Sequence, residues 1–346
     1  MIATIAPQIN TLQASKPSVR AAGDVIVVTG GAGYIGSHTV GQLLKAGFSV
    51  VVIDDLSAGK LENLSNFSVT FKEGDFADVE LWRQIVAEYK VAGVVHLAGK
   101  IDAAESILEP EVYMQTNYEK TQQLLQILKD LDINNLVFAS TAAVYGNNSD
   151  YPISDLAPLA PINPYGKSKM LAERAILDSN LKSVALRFFN VAGTDPELNI
   201  LPQNPHGLLR KIKAVIDGQE SVFSIYGDDY ETIDGTCIRD FINVVDIARA
   251  IVCAVSALVF SIPQLNNYSV FNVGSGQGYS INQILEVAHK IAKEKGKSIA
   301  VQTLPRRESE IPISVADNAR IKTSLNFDLQ YSDLETILRT SLGTTN

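Results

Sequence analysis

The chain has 346 residues, 46% of them hydrophobic and 19% charged, an ordinary globular balance with length enough for a large core. Its net charge is −9 and no long basic run occurs, so attraction to nucleic acid or to an anionic membrane surface is not expected. A small anionic ligand would need a local device, such as a helix N-terminus or a few aimed arginines. Cys237 and Cys253 form no metal or redox pattern. Residues 1–23 lack a basic start and a sustained apolar run, and read as a tail, not a secretory signal. The apolar stretch 247–262 carries Arg249 and is short for a membrane span, so a buried helix is expected. These features point to a cytoplasmic protein.

In chain order, the β-branched run 25–28 has the pattern of a central parallel strand buried on both faces. A glycine-rich turn follows, then a helix over about 34–46 ending at Gly47, then a strand over 49–53. This is a βαβ unit. Gly30, Gly33 and Gly36 would allow a tight turn, close approach of a pyrophosphate and tight helix–sheet packing. The helix N-terminus would offer free N–H groups to the phosphates. Asp54 at the end of the second strand suits the adenosine ribose hydroxyls and repels a 2′-phosphate, so NAD is favoured over NADP. Asp75, after the third strand, has two readings: acceptor for the adenine amino group, or solvated turn residue.

The alternation continues with a helix over 80–89, a strand over 94–97, a helix over 110–130 and a strand over 136–139. Asn163 and Pro164 then open a helix running to about 177, with asparagine at the cap and proline at the first helical position. A strand over 183–186 follows. The pattern predicts a doubly wound parallel sheet, Rossmann-like, over 24–192. After Arg187 the rhythm breaks. Residues 193–346 are expected to form a smaller C-terminal α/β substrate lobe, with segments returning to the first domain. Ser280 and Gln283 there form a capping-box pattern for a helix over 280–295.

Tyr165 and Lys169 lie four apart on the predicted helix and share a face. An ammonium beside the phenol, with the positive nicotinamide, is expected to lower the tyrosine pKa toward neutrality and make it a general base. Thr141, just past the strand, would reach the same reacting hydroxyl. The histidines His38, His96, His206 and His289 are scattered without metal spacing, and the single Trp82 is expected to pack within its helix.

The motifs GGAGYIGSH at 30–38, STAAVYG at 140–146, PYGKSK at 164–169 and RFFN at 187–190 resemble extended short-chain dehydrogenases. The run YGDDYETIDGTCIRDFI at 226–242 and PRRE at 305–308 resemble the UDP-glucose (galactose) 4-epimerases in particular. The resemblance covers about 25–340. It implies Thr141, Tyr165 and Lys169 as the catalytic set. It implies that Tyr34, Ile35, Phe76, Ala98, Gly99, Asn117 and Phe188 join the glycines, Asp54 and Asp75 around NAD. Asn117, Asn190, Arg239, Arg307, Glu310 and Ser314 would surround the UDP-sugar. The implied reaction oxidises C4 to a 4-keto sugar, turns it in the pocket and reduces it on its other face, with NAD regenerated each cycle. A homodimer through the helices at about 110–130 and 164–178 is also implied.

Three departures from the family concern substrate. Ser314 stands where a tyrosine is often found, so room for a 2-acetamido group is expected and UDP-GlcNAc/UDP-GalNAc become candidate substrates. Glu310 replaces a usual aspartate. The loop at 204–210 lacks the family's uridine-side pattern, which leaves uridine an inference from resemblance. Ala142 and Ala143 stand where the related 4,6-dehydratases carry an Asp-Glu pair, which disfavours elimination of water. A 4-epimerase of UDP-glucuronate or UDP-xylose and a net NAD-dependent oxidoreductase remain as alternatives. A dinucleotide-sensing protein on the same fold is disfavoured by the intact Tyr165–Lys169 pair.

Overall fold

The computed structural model describes residues 24–148, 150–204, 206–261, 265–307 and 310–343. The tail at 1–23, Ile262 of the apolar stretch and Glu308 of the PRRE motif lie outside the described residues.

The strands are β1 (Asp24–Thr29), β2 (Ser49–Asp54), β3 (Thr70–Glu73), β4 (Lys90–His96), β5 (Asn135–Thr141), β6 (Lys182–Phe188) and β7 (Asn190–Ala192). They continue with β8 (Phe223–Tyr226), β9 (Ile238–Asn243), β10 (Tyr268–Val273), β11 (Gly278–Ser280), β12 (Val301–Leu304) and β13 (Ile313–Ser314). The helices used below are α1 (Tyr34–Lys45), α2 (Val79–Glu88), α3 (Ala103–Leu108), α4 (Pro110–Met114), α5 (Lys120–Asp130), α6 (Pro164–Asp178), α7 (Leu208–Ile216), α8 (Val244–Val259) and α9 (Ile281–Glu294).

Seven strands form one parallel sheet in the order β10-β6-β5-β4-β1-β2-β3. The order reverses between β1 and β4, and the crevice beyond the strands' C-terminal ends at such a point is where this architecture seats ligands. One face buries Val28, Val52, Val95 and Val137 under α1 and α8; the other buries Val27, Val51, Leu136 and Phe138 under α2, α5 and α6. Valine and isoleucine on both sides explain the unbroken apolar runs. Trp82 is fully buried on α2, and its indole donates to the Phe76 carbonyl at 2.8 Å.

The helix boundaries follow local chemistry. Gly47 takes φ +86 just past α1, a left-handed conformation suited to glycine. Asn163 caps α6 by accepting from Gly166 N at 2.8 Å, and Pro164 occupies its first turn. Ser280 and Gln283 close a full capping box on α9.

Two expectations change. The single helix over 110–130 is divided by a π-helical turn, Gln115–Glu119, between α4 and α5. That turn inserts an extra residue and buries Asn117, a shift that apolar periodicity does not reveal. Sequence periodicity also gave no warning of β10, which pairs with β6 at the edge of the main sheet. Apart from α8, which covers the main sheet, C-terminal elements form a second core in which α7 and α9 pack around Phe223, Ile225 and Phe241. There β9 is central, flanked by β11 on one side and by β13 and β7 along the other.

Candidate active site

The turn after β1 is a cradle that side chains would fill. Gly30 has φ +73, and a Cβ on it would lie 2.7 Å from Ala98 N. A Cβ on Gly36 would overlap the Gly30 carbonyl. Gly33 caps α1 with no side-chain bond, and the first turn carries no acid. Free N–H groups and the positive end of the helix dipole are thus left for an anion. Asp54 accepts from Ala32 N and Leu56 N, both at 2.9 Å; burial raises its pKa and these two bonds oppose the rise. The cradle and the carboxylate fit a dinucleotide. The Tyr34 phenol turns away and donates to Gly193 O at 2.6 Å, while Ile35 packs against the core.

Beyond β3, Asp75 accepts from Ala77 N at 2.9 Å and from the Lys120 ammonium at 2.5 Å. Phe76 beside it is buried, its ring 4.7 Å from that of His96. Ala98 and Gly99 follow β4. Gly99 has φ +147, and a Cβ on it would meet Asn117 Oδ1 at 2.7 Å and Lys169 Nζ at 3.6 Å. Asn117 holds this loop from the π turn: its Oδ1 accepts from Lys100 N at 2.8 Å, and its Nδ2 donates to Lys100 O and the Ser168 hydroxyl.

The predicted catalytic residues meet at the C-terminal end of β5. The Thr141 hydroxyl sits beside the Tyr165 phenol and acts to lower its pKa. Lys169, 3% exposed, donates to Ala139 O at 3.0 Å. Phe188, at the end of β6, lies in register with Thr141. The expected lowering of the Tyr165 pKa by Lys169 together with the nicotinamide is not seen in the protein alone. Burial raises the phenol, and the Thr141 hydroxyl opposes it. Burial acts on the lysine as well and brings it down to about 8, with Glu173 holding it up.

Glu173 was not singled out from the sequence. It is 3% exposed and bound bidentately by Arg187, at 2.9 Å from Nε and 2.6 Å from Nη2. It also accepts from Ser140. Its partner lies on β6, not on its own helix, so no local spacing announces the pair; Glu173 eight residues past Tyr165 is the available signal.

In the C-terminal part, Arg239 on β9 donates to Glu310 Oε1 at 2.6 Å, and Arg307 lies 3.9 Å from Glu310 Oε2. The Arg307 guanidinium stacks over the Tyr226 ring at 3.6 Å. Ser314 ends β13 in register with Arg239. Asn190, exposed, starts β7 and pairs in register with Phe241, also on β9. Arg239, Arg307, Glu310 and Ser314 thus form one cluster, and Asn190 joins the same small sheet.

Comparison with known proteins follows this geometry. The profile of the NAD dependent epimerase/dehydratase family matches residues 26–274. The chain is 37% identical over 329 residues to the UDP-glucose 4-epimerase of Azospirillum brasilense, covering 93% of this chain and 92% of that one. The crystal structure of UDP-glucose 4-epimerase from Brucella ovis in complex with NAD superposes with a TM-score of 0.85 at 37% identity, over 93% of this chain and 98% of that one. The UDP-Glc/GlcNAc 4-epimerase from Campylobacter jejuni superposes at 0.80 with 34% identity, over 93% and 99% of the two chains.

Proposed function

The chain belongs to the NAD dependent epimerase/dehydratase family, and on that premise we propose that it interconverts UDP-glucose and UDP-galactose by inverting C4, with NAD as its cofactor. The observation that carries this reading is the Thr141–Tyr165 contact with Lys169 one helical turn on, beside the glycine cradle. Gly30, Gly33, Gly36 and the first turn of α1 would hold the pyrophosphate, Asp54 the adenosine ribose, and Lys169 the nicotinamide ribose. When bound, NAD supplies the reversible oxidation and reduction at C4.

The protein's own residues do the rest. Tyr165 removes the proton from the C4 hydroxyl and returns it to the opposite epimer, with Thr141 sharing the reacting oxygen. Its burial is a cost to the phenolate, and the Lys169 ammonium together with the cofactor's positive ring are the charges that offset it. Arg239 and Arg307 grip the diphosphate through charge-assisted bonds, so the 4-keto sugar can turn about its link to the diphosphate while the nucleotide stays fixed. Glu310 spaces the two guanidiniums and lies where the ribose contact is expected. Asn117 holds the Gly99–Lys100 loop beside Lys169, and Asn190 faces the sugar diphosphate. Ala142 and Ala143 supply no acid or base for loss of water.

Ser314 beside Arg239 supports a second substrate pair. A small side chain there leaves volume for a 2-acetamido group, and UDP-GlcNAc and UDP-GalNAc are therefore substrates as well. The chain acts as a homodimer; Val112 on α4 and Leu177 on α6 are exposed apolar side chains on the helices concerned. The free thiols Cys237 and Cys253 suit a reducing cytoplasm.

The test is to incubate purified protein, without added cofactor, with UDP-glucose, UDP-GlcNAc, UDP-glucuronate and UDP-xylose in turn. The C4 epimers of the first two are expected by chromatography. Conversion of only the uronate or the pentose moves the assignment to those sugars. No conversion by protein carrying NAD removes it.

A further inference from the structure

Three side chains of α6 at four-residue spacing dock on three consecutive residues of β5. Tyr165 meets Thr141, Lys169 donates to Ala139 O, and Glu173 accepts from Ser140. Arg187 lies directly opposite Ser140 in the β5–β6 register and binds Glu173 with both sides of its fork. The same guanidinium donates to the Tyr145 phenol at 2.9 Å, and Tyr268 on β10 reaches Glu173 at 3.4 Å. The cluster therefore ties α6 to three adjacent strands, one helical turn beyond the Tyr165–Lys169 pair.

An ion pair this deeply buried is expensive, and replacing such a pair with apolar side chains is often neutral or stabilising. Stability alone gives no reason to keep it. We propose that Glu173, with Arg187 as counter-ion, is a positioning residue that registers α6 on β5 so that Tyr165 meets Thr141, and that sets its carboxylate one helical turn from the Lys169 ammonium. This rests on the epimerase reading of the site.

The groups around Lys169 agree with this arrangement. His96 on β4 is held near 3 by burial and by Lys169, so it stays neutral. Arg187 on β6 stays charged, and Tyr165, Tyr145 and Tyr268 are all raised by burial and stay protonated in the protein alone. Among the described residues Glu173 is the one anion acting on Lys169, and it opposes the burial that brings the lysine down to about 8. Without that anion the ammonium is lost at lower pH.

The test uses the full chain with bound NAD as wild type, Glu173→Gln and the double variant Glu173→Gln/Arg187→Met. The glutamine keeps an oxygen for Ser140 and changes little volume. Two readouts are taken: the pH profile of kcat, and the titration of Lys169 by NMR of isotope-labelled lysine. In Glu173→Gln both the alkaline limb and the lysine titration are expected to move about one pH unit toward acid, with kcat down about tenfold and KM little changed. The double variant also lacks the anion, so its lysine titration and alkaline limb should stay shifted, while thermal stability lost to the unpaired arginine returns. An unmoved Lys169 titration in Glu173→Gln, with or without lost thermal stability, overturns the proposal; so does a double variant whose lysine titration returns to the wild-type value. Because the NMR readout needs no turnover, a wild type that converts no UDP-sugar would count against the functional reading and leave this inference separately decided.

Discussion

At the proton-transfer end of the site, Lys169, Glu173 and Arg187 are each no more than 4% exposed, and every charge has a fixed partner. At the diphosphate end, Arg239 and Arg307 are 13% and 47% exposed and share one carboxylate, Glu310. Buried charges must be fully satisfied, and so they lock geometry. A half-exposed guanidinium such as that of Arg307 loses little when one anion replaces another. On the proposed reading, one end holds atoms still during proton transfer, and the other exchanges a carboxylate for a diphosphate as substrate comes and goes.

The largest test of that contrast is Tyr165→Phe. Loss of the phenol should lower kcat by about a thousandfold while leaving UDP affinity by calorimetry intact, since a positioned acid–base group is worth about 10²–10⁴ in rate. A fall of less than about tenfold would mean that the rigid end does not carry the proton. Gly36→Ala comes next. The new methyl meets backbone, not a flexible side chain, so a strain cost of about 1–3 kcal/mol should appear as a roughly tenfold to hundredfold loss of NAD affinity. Full NAD content in the purified variant would show that the cradle can yield. Arg239→Met probes the exchangeable end: KM for UDP-glucose should rise about thirtyfold with kcat nearly unchanged, as one charged hydrogen bond is worth about 1.5–3 kcal/mol. A drop confined to kcat would put Arg239 in the rigid half. Smallest overall, Ser314→Tyr should cost UDP-GlcNAc turnover about tenfold or more and leave UDP-glucose turnover within about threefold, because overfilling a pocket penalises only the ligand that needs the space. Equal losses on both substrates would unseat Ser314 as the determinant.

The rigid end was the more legible in sequence, for a physical reason. Gly30, Gly36 and Asp54 come from one contiguous βαβ unit, and Tyr165 and Lys169 from one helix turn, so spacing alone places them together. Arg239, Arg307 and Ser314 come from short strands and loops of the second lobe, where no periodicity reports proximity; only the family resemblance brought them to one place. The π turn was invisible because an extra residue in a helix leaves its composition unchanged. Glu173 was missed because a glutamate one turn past Lys169 looks like a solvated helix face until Arg187 on another strand is seen against it. Sequence shows the charge beside Tyr165 but not the loss of water around it, which raises the phenol in the protein alone.

The pairing of β10 with β6 sets an order on biosynthesis. The sheet edge that ends at β6 stays open until Tyr268–Val273 has been made, and the apolar face above Val28 and Val184 stays wet until α8 exists to cover it. A growing chain that already holds every glycine of the cradle and both residues of the Tyr165–Lys169 pair still exposes an unpaired strand, the kind of surface that aggregates. The half that is translated first is thus completed by residues translated much later, and the ribosome must deliver most of the second lobe before the first can shut.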